Sequence, residues 1–189
     1  MLMYKTVCVL SWLNMICNIA LVKGAFDFTG PSDCSNTDNG STMKGYSDLL
    51  ILNQDMYSEA YSVIVENNTQ AEKYTYTICP GTTFDYNILT NETGSDPYIV
   101  PYLSNVTVVC GDGDGDDECT FFGGDGYHIY FVPQFISMNV KFVGFTFTNN
   151  LYTSVAAFGH PLSYAIFHNC TWVVSYIINA TIGMHVYVY

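Results

Sequence analysis

The chain has 189 residues, 49% of them hydrophobic, and carries 17 acidic side chains against five lysines and no arginine, a formal net charge of −12. Without a basic footprint to displace counterions it is excluded from nucleic-acid binding, and an anionic membrane is a poor partner for the same reason. The length suits one domain able to bury a real core.

Lys5, then the mostly apolar run Thr6 to Val22, with Val22 and Gly24 as small residues ahead of a cleavage point, predicts a secretory signal peptide over 1–24. Ser11, Asn14 and Asn18 interrupt the run, which favours a cleaved signal over an uncleaved N-terminal anchor. No second apolar stretch of that length follows, so no membrane contact is expected after cleavage and the location is read as secreted. Removing the signal takes Lys5 and Lys23 with it and leaves 165 residues (189 less 24).

Residues 25–46 are rich in Ser, Asp, Asn and Gly, lack periodicity, and read as a leader or loop; 47–189 is read as the folded domain. Ser47 as N-cap, Asp48 in the first turn and Leu49, Leu50 and Leu52 predict a short helix near 48–57. Tyr74 to Cys79 is strand-like and stops at Pro80-Gly81. Ile99-Val100 and Val106 to Cys110 follow as strands, separated by a loop from Asn91 to Pro97. Further strands are read at Tyr127 to Val132, Val140 to Phe147 with a bend at Val143-Gly144, Val155 to Phe158, Tyr164 to Val174, Ile177-Ile178, Thr181-Ile182 and Val186 to Tyr189. Turn signals every ~8 to 12 residues fit a β-sandwich or a β-solenoid equally well.

A weak repeat favours the solenoid. Asn105-Val106-Thr107-Val108, Asn139-Val140-Lys141-Phe142 and Asn169-Cys170-Thr171-Trp172 each place polar residues first and third, apolar residues second and fourth. Stacked, they would put Val106, Val140 and Cys170 in one inward row and Val108, Phe142 and Trp172 in the next. His168 would then share the inward parity of Ile166 and Cys170.

Together with the helix, the segments Ile78-Cys79-Pro80, Thr82-Thr83-Phe84, Asn105 to Val108 with Cys110-Gly111, Val143 to Phe147 and Ala165 to Trp172 resemble the secreted right-handed parallel β-helix proteins of the pectin-lyase-like group, notably uncharacterised ones of diatoms and their relatives. The resemblance covers roughly residues 46–182. It implies an all-β right-handed parallel β-helix with an N-terminal capping helix. Those proteins usually carry more coils, which implies a short or truncated solenoid whose last coil, near Tyr189, presents an unpaired apolar end.

Five cysteines survive signal cleavage, one more than an even set. Cys110 with Cys119, and Cys34 with Cys79, are the expected bridges; Cys170 is left as a buried thiol. Asn39, Asn67, Asn91, Asn105, Asn169 and Asn179 each open an Asn-x-Ser/Thr acceptor, so N-glycosylation is expected where they face solvent.

The sharpest chemical feature is the acidic loop between Cys110 and Cys119. Its glycines allow a tight fold in which Asp112, Asp114, Asp116 and Glu118, joined by Asp125, would offer oxygens to calcium, the one candidate cofactor. The pattern is no EF-hand, since Asp117 stands where the invariant glycine belongs; a solvated acidic loop is the competing reading. No catalytic residue is assigned. The fragments Asn36-Thr37-Asp38, Asp116-Asp117 and Gly159-His160-Pro161 resemble polygalacturonase motifs but are spaced too far apart to meet on adjacent coils, and the basic last element is missing. His128, His160, His168 and His185 lack metal-ligand spacing. The sixteen tyrosines fill sheet faces or stack on sugar rings. The expected function is a non-catalytic extracellular or wall-associated module that binds carbohydrate or builds structure, polysaccharide or cell-wall material being the candidate partner. The alternatives are a polysaccharide-degrading enzyme and a β-sandwich lectin.

Overall fold

The computed structural model describes residues 30–35, 42–64, 73–93, 98–99, 101, 103–114, 117–131, 138–151, 153–158, 162–173, 176–181 and 184–189. The segment read as a leader contributes two strands: β1 (Ser32–Ser35) and β2 (Thr42–Gly45) pair antiparallel. Its composition hid it, because polar four-residue strands carry no apolar alternation. The Cys34–Cys79 disulfide ties the hairpin to the rest of the fold. Gly45 must be glycine there, as a Cβ would sit 2.7 Å from the Cys34 sulfur and 2.9 Å from the Thr77 carbonyl oxygen.

Helix α1 (Leu49–Ile64) is longer than expected, and its N-cap is Asp48 instead of Ser47. The Asp48 carboxylate accepts hydrogen bonds from the Leu50 and Ile51 amides at 2.7 and 3.2 Å, satisfying two donors that the first turn leaves unpaired. Leu49, Leu52, Met56 and Ala60 recur at helical spacing and are buried in the same core cluster as Tyr46 and Tyr76. The tyrosine hydroxyls find acids on the same helix: Tyr46 donates to Asp55 at 2.8 Å and Tyr76 to Glu59. Burial foremost, and then the adjacent carboxylates, hold both phenols protonated far above their ordinary range.

The remaining strands make three sheets in which every pairing is parallel. The first holds β3 (Tyr74–Ile78), β5 (Val106–Cys110), β8 (Asn139–Val143), β11 (Ser163–His168) and β14 (Met184–Val188). The second holds β4 (Thr83–Asp85), β6 (Cys119–Phe122), β9 (Phe145–Thr148) and β12 (Thr171–Val173). The third holds β7 (Ile129–Phe131), β10 (Thr153–Phe158) and β13 (Tyr176–Thr181), with Ile99 bridged to Ile129. The chain visits the sheets in turn, so each circuit adds one strand to each. Among the described residues the protein is therefore β-rich, with two helices, and apart from the β1–β2 hairpin its sheets are parallel, unlike those of a sandwich.

Residues in register stack into the core. In the first sheet Tyr76, Val108, Phe142 and Phe167 form one inward row, while Val106, Val140 and Ala165 form another. In the second, Phe84, Phe121, Phe147 and Trp172 stack with ring centroids 5.0–5.4 Å apart. The expected rows were thus right for their first two members and wrong for the third. Cys170 and Trp172 belong to the corner and strand of the second sheet, and Ala165 and Phe167 take the places assigned to them. Side-chain parity follows: Ser163, Ala165 and Phe167 are buried, while Tyr164, Ile166 and His168 lie on the opposite face. His168 is therefore no core histidine.

A second helix, α2 (Tyr86–Thr93), takes in Asn91, where a loop is expected to begin. Asp85 caps it by accepting from the Asn87 amide at 3.0 Å. Tyr86 is buried but Ile88 is exposed, so the helix lacks the apolar stripe that reveals one. None of the described helices is long and apolar enough to cross a membrane.

Candidate functional site

Two places gather polar chemistry. The first is the acidic turn from β5 to β6, closed by the Cys110–Cys119 disulfide. The turn is knitted by its own backbone: the Asp112 amide donates to the Asp117 carboxylate at 2.9 Å, and the Asp114 amide to Asp112 at 3.1 Å. Gly111, at φ 51°, leaves the room that Asp117 fills, since a Cβ there would lie 1.8 Å from the Asp117 carboxylate oxygen. Ligand oxygens of Asp112, Asp114 and Asp117 lie within 4.8 Å of one another. Partial burial, followed by repulsion from Asp112 and Asp114, raises the Asp117 carboxyl above its ordinary range against the opposing amide bond.

The expected ligand set overlaps this trio in part. Asp112 and Asp114 are in the trio; Asp117, omitted from the set, completes it; Asp116 lies outside the described residues. Glu118 and Asp125 are exposed and stand outside the trio. With one oxygen from each carboxylate the trio supplies three of the six to eight that calcium takes, so backbone oxygens or water would have to supply the rest. Asn36-Thr37-Asp38 and Gly159-His160-Pro161 also lie outside the described residues.

The second place is the outward face of the five-stranded sheet. Period-2 alternation sends Val106, Val140 and Ala165 inward and their neighbours outward. Asn105 precedes β5, Asn139 pairs with Tyr164, and Tyr164 pairs with His185, giving one outward row. Thr75, Thr107, Lys141, Ile166 and Tyr187 give the next. A shallow groove of about 390 Å³ runs across both, lined by Lys73, Asn105, Thr107, Asn139, Lys141, Tyr164 and Ile166. The Asn139 amide nitrogen donates to the Asn105 side-chain oxygen at 3.4 Å, aligning the two amides.

Beyond the groove the face turns aromatic. Tyr187 stacks on Tyr189 with centroids 6.3 Å apart and planes 11° from parallel, and His185 stacks on Tyr187 at 6.5 Å. Tyr164, Tyr187 and Tyr189 are 37%, 44% and 70% exposed, enough for a planar ligand to lie on them. Sequence reasoning counted the tyrosines without placing these; the alternation of Tyr164, Ile166 and His168 against Ala165 and Phe167 was the available signal.

Of the acceptor asparagines, Asn105 and Asn169 are exposed, Asn91 lies in α2 and Asn179 in β13, and Asn39 and Asn67 fall outside the described residues. Both expected disulfides are present, and Cys170 is free and half-buried, its thiol pushed up to about 11 mainly by burial. Among the described residues the buried histidine is His128, whose Nε2 bonds the Gly123 carbonyl at 2.9 Å among Tyr86, Phe121 and Phe147.

No protein-family model, curated protein or solved structure matches the chain.

Proposed function

We propose that this is a secreted, N-glycosylated protein with the pectin-lyase-like, right-handed parallel β-helix architecture, acting as a non-catalytic carbohydrate-binding module outside the cell. Two disulfides and a leading signal-like segment support the compartment. Three parallel sheets visited in turn support the architecture. The observation that carries the binding role is the exposed patch of Tyr164, His185, Tyr187 and Tyr189 continuing an amide-lined groove. Aromatic faces pack against the C–H faces of sugar rings, and fixed side-chain amides exchange hydrogen bonds with hydroxyls.

Binding to a panel of immobilised glycans tests the reading. The unaltered protein should be retained by at least one, and Tyr187→Ala with Tyr164→Ala should be retained about tenfold less, the scale of losing two stacked rings at ~0.5–1.5 kcal/mol each. Retention by none would refute it. Release of shortened sugar products would establish the enzymatic alternative.

A further inference from the structure

The geometry points to an anionic ligand for the groove on the five-stranded sheet: an oligosaccharide bearing carboxylate or sulfate groups, held by Lys73 and Lys141. This rests on the carbohydrate-binding reading above and names the class of sugar.

The chain has 17 carboxylates and five lysines, and Lys5 and Lys23 precede the described residues. Of the three described lysines, Lys44 is paired with Asp33 at 2.8 Å on the β1–β2 hairpin. Lys73 and Lys141 both line the groove, and among the described residues no carboxylate lines it with them. Among the described residues neither enters an ion pair. A strongly acidic protein thus keeps its two remaining described cations together, where they do nothing visible for the fold.

Their spacing suits a chain-like anion better than a single ion. Lys73 precedes β3 and Lys141 lies in β8, two strands away. The strand repeat separates their backbones by about 10 Å across the sheet, and two residues along the strand add about 7 Å. Between them Asn105, Thr107 and Asn139 offer hydrogen bonds to hydroxyls, and Tyr164 closes one end with a ring. An acidic peptide would use the lysines but not the aromatic row beyond them. Lysine is a compact point charge without the fixed fork of arginine, so the pair accepts carboxylate and sulfate alike. Asn105 is also a glycosylation acceptor, so a glycan attached there would occupy the groove.

The test is affinity electrophoresis and calorimetry on the full chain, made with and without N-glycosylation. Four probes are used: a polyuronate, a sulfated glycan, a neutral glucan and poly-glutamate. The expected result is retention by one or both charged glycans, weakened as salt rises. Lys73→Gln with Lys141→Gln should weaken it about 4- to 25-fold, since exposed ion pairs are worth factors of about 2 to 5 each. Both side chains are outside the core, and an unchanged circular dichroism spectrum and melting temperature would show that the fold survives. Binding to the neutral glucan alone, untouched by the double substitution, would overturn the anionic ligand and leave the carbohydrate-binding reading standing. Poly-glutamate bound as tightly as the charged glycans would overturn the sugar assignment. No binding to any probe in either preparation would overturn both.

Discussion

At the scale of single residues, His128 shows how the core sets chemistry. The Gly123 carbonyl can only accept, so Nε2 carries the proton and Nδ1 is left buried without a partner. Burial lowers the imidazole from its ordinary value near 6.5 to about 4. Because the folded value lies below the unfolded one, the unfolded chain binds the extra proton as pH falls from about 6.5 to about 4. Stability should decline by up to about 3 kcal/mol across that window and be fully present above it. Urea unfolding at pH 7 and pH 4.5 measures the decline, and His128→Phe should remove this part of it.

The acidic turn yields two further outcomes. Gly111→Ala collides with Asp117 and strains a left-handed backbone, so a loss of about 1–3 kcal/mol is expected by the same unfolding assay. Asp112→Asn keeps the oxygen that accepts from the Asp114 amide but removes a charge facing Asp117. Its melting temperature in chelator should rise slightly. If millimolar calcium leaves the melting temperature of the unaltered chain where it was, the trio holds no ion.

At the scale of elements, the in-register aromatic row of the second sheet is the main structural joint. Phe147 is fully buried, stacked on Phe121 at 5.0 Å and on Trp172 at 5.1 Å. Phe147→Ala should cost about 3–5 kcal/mol, whereas Thr146→Ala, on the partly exposed face of the same strand, should stay below about 1 kcal/mol. A comparable loss at both positions in denaturant melts would contradict the assigned register. The asparagines that seemed to open each repeat have a more specific role at two of the three positions. Asn105 and Asn169 adopt φ values of 60° and 52°, and Asn149 joins them at 55°. These are left-handed corners, which asparagine tolerates better than most residues. Asn139 is an ordinary strand residue in register with Asn105, whereas Asn169 leads into β12 of the second sheet, so the apparent repeat joined two different positions of the circuit.

At the scale of the molecule, the two disulfides close loops of different length. Cys34–Cys79 spans 45 residues and Cys110–Cys119 spans nine. Chain-entropy reasoning gives about 4 kcal/mol for the first and about 3 for the second. Replacing Cys34 and Cys79 by serine should therefore lower denaturant stability more than replacing Cys110 and Cys119. The reverse order would place the greater constraint in the acidic turn.

The sequence by itself determined what depends on local chemistry. Alternation located most strands, Gly144 marked the bend between β8 and β9, and cysteine spacing gave both bridges, because each is written within a few residues or in a count. Only the tertiary structure decided which strands share a sheet. A period-2 pattern says which residues face together but not which neighbour they face, so Trp172 and Phe167 were interchangeable on paper and belong to different sheets. The same reason hid the groove: Lys73, Asn105, Lys141 and Tyr164 are distant in the chain, and parallel stacking alone makes them neighbours.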